Sequence, residues 1–425
     1  MKKLLFISFD LLREGETKHS LPIASILAYL KSQPEIQEHY EFQHHSINSF
    51  EFGTEATDSI FRETFPAEYV QQFQYVALSA YIWNEFATNK LIHYLKSQNK
   101  HLKIILGGYQ VTYSNLDTLQ KEYPAADYFV SSYGENPMLQ ILRNDLPPPS
   151  KSTTDSYPLY QNQLSDYTLL PSPYLSGEFD VPIGYKMIRI ETKRNCPYRC
   201  TFCAHKDEAD NVVKEFSLER VIAELEWIRD KQIEKVNVLD PIFNVGKNYM
   251  QIMKEIVSIK PKALFSLQTR LELLGGEHGE EFLKLCAEGN FHLEFGLQTI
   301  IPAEYNLIER KNCLPKIEAA LQKLKAYNIS YEISLIYGLP TQTVSSFLES
   351  VDFVQRHNCT NLKAFPLMLL RGTKLYHEKE KYEMQEERLG EFQIPVVTSS
   401  SSFTKDNWLE MQSIANQLQA TNRIA

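Results

Sequence analysis

Short β-rich runs alternate with helical stretches along most of this 425-residue chain, which restricts the fold to parallel sheets with helices packed on their faces. A first series has strand-like text at Lys3 to Phe9, Tyr75 to Tyr81, Lys103 to Gly108 and Tyr128 to Ser132, with helical text at Leu21 to Leu30 and Leu91 to Lys96. The text then changes to Pro147-Pro148-Pro149, Ser150, Ser152-Thr153-Thr154 and Pro171-Ser172-Pro173, which continues neither element type. A second series follows, at Met187 to Thr192, Lys235 to Asp240, Ala263 to Thr269, His292 to Gln298, Tyr331 to Gly338 and Asn361 to Leu369. Six such strands fit a partial (β/α) barrel. The intervening helices show the matching stripe: Leu218, Val221, Ile222, Leu225 and Ile228 recur at helical spacing, with Ser217 at the N-cap position.

The α/β chain therefore divides into a Rossmann or flavodoxin-like domain over 1–145, a linker over 146–180, a partial barrel of the TIM type over 181–370 and a small C-terminal segment over 371–425. A net charge of -9 gives no basic face for broad binding to nucleic acid or anionic lipid. After Met1-Lys2-Lys3 the apolar run is short, and Asp10, Arg13 and Glu14 arrive too early for a signal peptide or membrane span, so a cytoplasmic protein is expected. Six cysteines are too few for a disulfide framework.

Three of those cysteines, Cys196, Cys200 and Cys203, form a C-x3-C-x2-C loop directly after an expected strand. Three thiolates leaving one tight loop can hold three irons of a cubane cluster and leave the fourth open to an outside ligand. The alternative is a zinc knob using the same cysteines and His205. Zinc sites, however, usually recruit cysteine pairs from two separate loops, and there is no second pair here. Loops after barrel strands form the catalytic face, which favours the open cluster.

With Phe202 ahead of the third cysteine, this loop resembles the signature of the radical S-adenosylmethionine (SAM) superfamily. The resemblance implies a 4Fe-4S cluster whose open iron is chelated by SAM, and reductive cleavage of SAM to a 5'-deoxyadenosyl radical. It also implies an electron donor such as a flavodoxin or ferredoxin. Further matches occur in order along the chain. Val238-Leu239-Asp240-Pro241 occupies the place of the family's glycine-rich SAM contact, so Asp240 or the backbone beside Pro241 would take that role. Ser266, Gln268 and Arg270 follow on the third strand, and Glu294-Phe295-Gly296-Leu297-Gln298 resembles an E-x-G-x-Q strand whose Glu294 and Gln298 line the barrel. Arg310 matches an arginine that reaches the SAM carboxylate, and Gly338 and Pro340, with Thr343, match a turn packed on adenine.

The first domain is similar to the cobalamin-binding domain that precedes many radical SAM barrels, through Ser79-Ala80-Tyr81-Ile82-Trp83-Asn84, Gly107-Gly108 and Gly134. Three departures stand out: Leu12 takes the place of a cobalt-ligating histidine in Asp10 to Gly15, Tyr109 replaces a usual proline, and Asn136-Pro137 breaks the usual text. The domain then either binds cobalamin without that histidine or docks substrate without the cofactor.

Among the remaining residues, Arg371 replaces a usual proline near the end of the barrel and could clamp a substrate carboxylate or phosphate. Cys286 reads as core, Cys359 as lying at the non-catalytic end, and Cys313 as the one spare thiol near the site. His44 and His45 read as surface or interface residues of the first domain. The resulting functional expectation is cobalamin-dependent C-methylation of a small molecule or peptide. The alternatives are cobalamin-independent chemistry (hydrogen abstraction with epimerisation, or 3-amino-3-carboxypropyl transfer) and a non-catalytic iron-sulfur protein.

Overall fold

The computed structural model describes residues 1–12, 20–51, 57–146, 159–205, 211–359 and 361–422. The proline and serine text at 147–158 and the loop residues Arg13, Glu14 and Gly15 lie outside the described residues. The chain forms two compact units, Met1–Asp180 with Gly390–Ile394, and Val181–Leu389 with Pro395–Ala425.

The first unit is built on six strands: β1 (Lys2–Asp10), β2 (Tyr40–Asn48), β3 (Tyr75–Ser79), β4 (Lys103–Gly107), β5 (Tyr128–Ser131) and β6 (Leu159–Gln161). They lie in the order β2-β1-β3-β4-β5-β6, and every pair is parallel. Helices cover both faces, so β1 reads as an unbroken apolar run. Its side chains alternate: Leu4 and Phe6 join one core with Ile23 and Leu139, and Leu5, Ile7 and Phe9 join the opposite core with Phe61 and Leu91. β2 escapes the hydrophobic reading because it is an edge strand carrying Glu41, Gln43, His44 and His45. The chain runs outward to β2 and then returns past β1 to β3. Open α/β sheets bind ligands at the carboxyl ends of strands flanking such a reversal.

The second unit carries β7 (Met187–Ile190), the short antiparallel pair β8 (Lys193–Arg194) and β9 (Lys214–Glu215), then β10 (Lys235–Val238), β11 (Leu264–Thr269), β12 (Phe291–Gln298), β13 (Ser330–Tyr337) and β14 (Leu362–Pro366). β7 and β10 to β14 pair in sequence order, all parallel, as a six-stranded sheet. On β12 the residues Phe291, Leu293, Phe295 and Leu297 are buried, whereas His292, Glu294, Gly296 and Gln298 form the other face. The helix Leu218–Asp230 begins where Ser217 caps it, with Oγ accepting from the Arg220 amide at 3.1 Å.

The text after Arg371 mostly packs as part of this second unit. β15 (Gln385–Leu389) pairs with β16 (Ile394–Ser399), and the helix Lys405–Asn422 lies against β14. Trp408, 1% exposed, packs its ring 5.8 Å from that of Tyr337. β14 ends the sheet, and a helix over an end strand shields the unpaired edge from other chains. Among the described residues no helix is long and apolar enough to cross a membrane.

Candidate active site

The cysteine loop leaves the end of β7 and is anchored before its first cysteine. Asp240, fully buried just past β10, accepts from the Thr192 amide at 2.7 Å, the Lys193 amide at 3.2 Å and the Thr192 hydroxyl. The Lys193 ammonium, also buried, donates to the carbonyls of Phe243 at 2.8 Å and Val245 at 2.6 Å, and lies 3.9 Å from Asp240. Burial pushes the Asp240 carboxyl up and the Lys193 ammonium down, so each charge depends on its fixed partners. Asn195 then adopts a left-handed φ of 69°, and its Oδ1 accepts from the Cys196 amide at 2.8 Å. Further along, the Thr201 amide donates to Ile308 O and the Leu375 amide donates to Thr201 O, both at 3.0 Å.

The loop closes one side of a cavity of about 250 Å³ lined by Cys196, Cys200, Cys203, Phe202 and His205 together with Gln268, Arg270, Glu294, Gln298 and Arg310. Most of the candidates from the sequence therefore meet at one place. Tyr198, Glu332 and Ser334 also line it. The last two were legible in principle, because Glu332 and Ser334 alternate on β13 as Glu294 and Gly296 do on β12, and the two pairs sit in register. Tyr198 had no signal; its ring lies under the Arg270 guanidinium at 4.0 Å.

Two arginines give the cavity its positive side. Arg270 pairs with Glu272 at 3.2 Å and donates to Arg310 O at 3.0 Å. Arg310 donates from Nη2 to Gly296 O, while its buried Nε has no partner. Burial, aided by the adjacent Arg270 charge, pulls Arg310 below its ordinary value. Burial also pushes the Cys196 thiol up, and Cys203 to about 11. Deeper in, burial and then the Glu332 charge raise Glu294. Burial would raise Glu332 too, but hydrogen bonds from His292 and Lys363 outweigh it and hold that carboxyl low.

Four of the candidate residues lie outside this lining. Asp240 is not a cavity residue, because its carboxylate is already committed to Thr192 and Lys193; Pro241 and Ile242 line the cavity instead. Gly338 and Pro340 are buried in a turn in which Gln342 Oε1 accepts from the Gly338 amide at 2.7 Å, and neither lines the cavity. Arg371 stands in the turn before the helix Lys374–His377, also outside the lining.

In the first unit, Ser79 and Gly107 end β3 and β4 as paired residues. Gly108 is required by the fold itself: with φ at 95°, a Cβ there would meet Ala80 O at 2.4 Å. A Cβ at Gly107 would make only ordinary contact with Val130, and at Gly134 it would press on Ile26 Cδ1 at 2.6 Å. Beyond β3 and β4 stand stacked rings, Tyr81 on Trp83 at 4.6 Å and Tyr109 on Tyr113 at 6.1 Å. Leu12, at the position of the cobalt-ligating histidine in the resembling domain, donates its amide to Asn48 Oδ1 at 3.3 Å.

The B12 binding domain family matches residues 19–142, and the Radical SAM superfamily matches residues 190–354. The chain carries a B12-binding domain followed by a radical SAM domain. It is 24% identical over 332 residues to the cobalamin-dependent radical SAM methyltransferase TokK of Streptomyces tokunonensis, covering 72% of this chain and 48% of that protein. It is also 24% identical over 299 residues to the 2-(S-pantetheinyl)-carbapenam-3-carboxylate methyltransferase of Streptantibioticus cattleyicolor, covering 65% and 44%. The chain thus spans about half the length of these curated relatives. In fold it resembles the radical SAM methyltransferase TsrM of Kitasatospora setae, with a TM-score of 0.71 at 13% identity, covering 98% of this chain and 89% of that one. The cobalamin-dependent radical SAM enzyme OxsB gives 0.69 at 13%, covering 97% and 66%.

The radical SAM domain implies a 4Fe-4S cluster and SAM, and its residues fit them. Three thiols face one cavity, and Arg310 Nε is a buried donor with no acceptor. Among the described residues no three His, Cys, Asp or Glu side chains converge as ligands of a single ion. In the B12-binding domain, the fit to a flat macrocycle rests on the stacked rings beyond β3 and β4, since the glycines are explained largely by internal packing.

Proposed function

We propose that this chain is a cobalamin-dependent radical SAM methyltransferase that places a methyl group on an unactivated carbon of a small molecule or peptide. One observation carries the reading: the cysteine loop and Arg310, whose buried Nε has no partner, line one cavity in a chain that also carries a B12-binding domain. When bound, the reduced cluster supplies the electron that cleaves SAM, and cobalamin serves as the methyl carrier. Cys196, Cys200 and Cys203 hold the cluster, and Arg310 takes the SAM carboxylate through Nε. Glu294, Gln298 and Gln268 offer acceptors and donors to the rest of SAM along the inner face of β11 and β12. Arg270, held by Glu272 and Tyr198, keeps a second positive charge beside the thiolates. Phe202 and Tyr198 narrow the access of water. In the B12-binding domain the rings of Tyr81, Trp83, Tyr109 and Tyr113 offer an apolar bed at the carboxyl edge, next to Ser79 and Gly107. The electron donor is of the flavodoxin or ferredoxin class, and the protein works in the cytoplasm.

The test is anaerobic reconstitution with iron, sulfide and hydroxocobalamin, followed by mass analysis of every SAM-derived product. The reading expects uptake of cobalamin and formation of both 5'-deoxyadenosine and S-adenosylhomocysteine. Methylthioadenosine in their place would mean aminocarboxypropyl transfer. 5'-Deoxyadenosine from a protein that refuses cobalamin would mean cobalamin-independent hydrogen abstraction.

A further inference from the structure

A buried acid with no role in the proposed reaction sits on the helix Pro302–Leu307. Glu304 is 1% exposed, and its carboxylate accepts from Thr299 Oγ1 at 2.5 Å, Ser346 Oγ at 2.5 Å and Gln342 Nε2 at 3.2 Å. Burial pushes its pKa up. A buried carboxylate without a cation is costly to keep, and three neutral donors only offset that cost. The carboxylate joins three side chains from separate elements, which an apolar residue in its place could not do.

The reason lies in what the acid joins. Thr299 directly follows Gln298 at the end of β12, while Gln342 closes the turn after β13 by accepting from the amides of Gly338 and Leu339. Glu304 thus ties its short helix to two barrel strands. The far end of that helix serves the cavity. Ile308 O receives the Thr201 amide from between Cys200 and Cys203, and the Arg310 amide bonds to Tyr305 O at 2.9 Å. Glu309 and Lys311, on either side of Arg310, both hold left-handed φ values, 52° and 49°. Non-glycine residues keep that conformation only where surrounding structure enforces it.

We propose that Glu304 is a positioning residue: it holds the helix Pro302–Leu307 so that the cysteine loop and the Arg310 guanidinium keep a set separation across the cavity. The inference rests on the reading that Arg310 takes the SAM carboxylate. If the helix shifts, both the Thr201 contact and the Arg310 turn shift with it, and a displacement of a fraction of an ångström suffices to weaken a chelate that must meet an iron and a guanidinium together.

The experiment uses the full chain with its cluster reconstituted, and compares Glu304→Gln, Ser346→Ala and Arg310→Lys with the unaltered protein. Iron and sulfide content, melting temperature, and the EPR spectrum of the reduced cluster titrated with SAM are recorded for each. Glu304→Gln is expected to keep its iron yet bind SAM about tenfold more weakly, with a broadened SAM-bound signal. Ser346→Ala, which keeps the acid and removes one donor, is expected to weaken SAM about threefold. A lower melting temperature with SAM affinity unchanged in both variants would make Glu304 a stabilising residue only and overturn the proposal. Should Glu304→Gln fail to fold, an unchanged SAM titration for Ser346→Ala overturns it alone. Unchanged SAM affinity in Arg310→Lys would instead bring down the reading of Arg310, separating the two failures.

Discussion

Replacing Lys193 with methionine tests how the cysteine loop is held, three residues before Cys196. The ammonium is 1% exposed and bonds two carbonyls of the segment after β10, and Asp240 beside it is fully buried. Lys193→Met leaves those two carbonyls without their donor and the Asp240 carboxylate without its cation. Removing one member of a buried pair typically costs about 3–5 kcal/mol, or two to four orders of magnitude in the folding equilibrium. Asp240→Asn alone strands the ammonium instead. In the double variant neither charge remains, while an asparagine oxygen can still accept from the Thr192 amide. Its cost should then fall below the sum of the two single changes by about 1–3 kcal/mol. Urea unfolding of the iron-free protein under anaerobic conditions measures all three, with iron uptake recorded alongside. The reasoning is refuted if Lys193→Met costs less than about 1 kcal/mol at an unchanged m-value, or if the two single effects simply add.

Alanine at Cys196, Cys200 or Cys203 should each abolish the 4Fe-4S absorbance and the SAM-dependent EPR change, whereas alanine at Cys286, buried on the helix Gly279–Glu288, should lower stability and leave the iron content unchanged. Glu294 gives a pH signature. An acid raised on folding holds its proton more tightly in the folded state, so its contribution is fully present below its ordinary value of 4.5 and is lost as pH rises through the raised folded value. Glu294→Gln should therefore match the unaltered protein in melting temperature at pH below 4.5 and exceed it above that window; an equal difference at every pH would count against the assignment. If cobalamin binds, its cobalt(II) EPR spectrum should lack splitting from a protein imidazole nitrogen, because Leu12 stands where that ligand would come from. Splitting that persists in protein labelled with nitrogen-15 histidine, but with a changed pattern, would refute this.

Much of this protein is written in local pattern. Short β-rich runs alternating with helical ones announced the parallel sheets, the C-x3-C-x2-C spacing announced an open cluster, and period-two alternation put Glu294, Gly296 and Gln298 on one face. These follow from geometry that a few neighbouring residues determine: the pleat, the helical turn and the reach of one loop. What the tertiary structure decided were the partners. Asp240 resembled a ligand contact in the text, but Thr192 and Lys193 claim its carboxylate, and Gly338 yields its amide to Gln342. Lys193 and Glu304 carry no pattern in the text, and only the fold buries them, at 1% exposure each, beside fixed partners. Arg310 was legible as a candidate in the text, but only folding brought it beside Cys200, 110 residues earlier, with its Nε left unbonded. A sequence names which groups can donate and accept, but only folding determines which of them are already satisfied and which remain for a ligand.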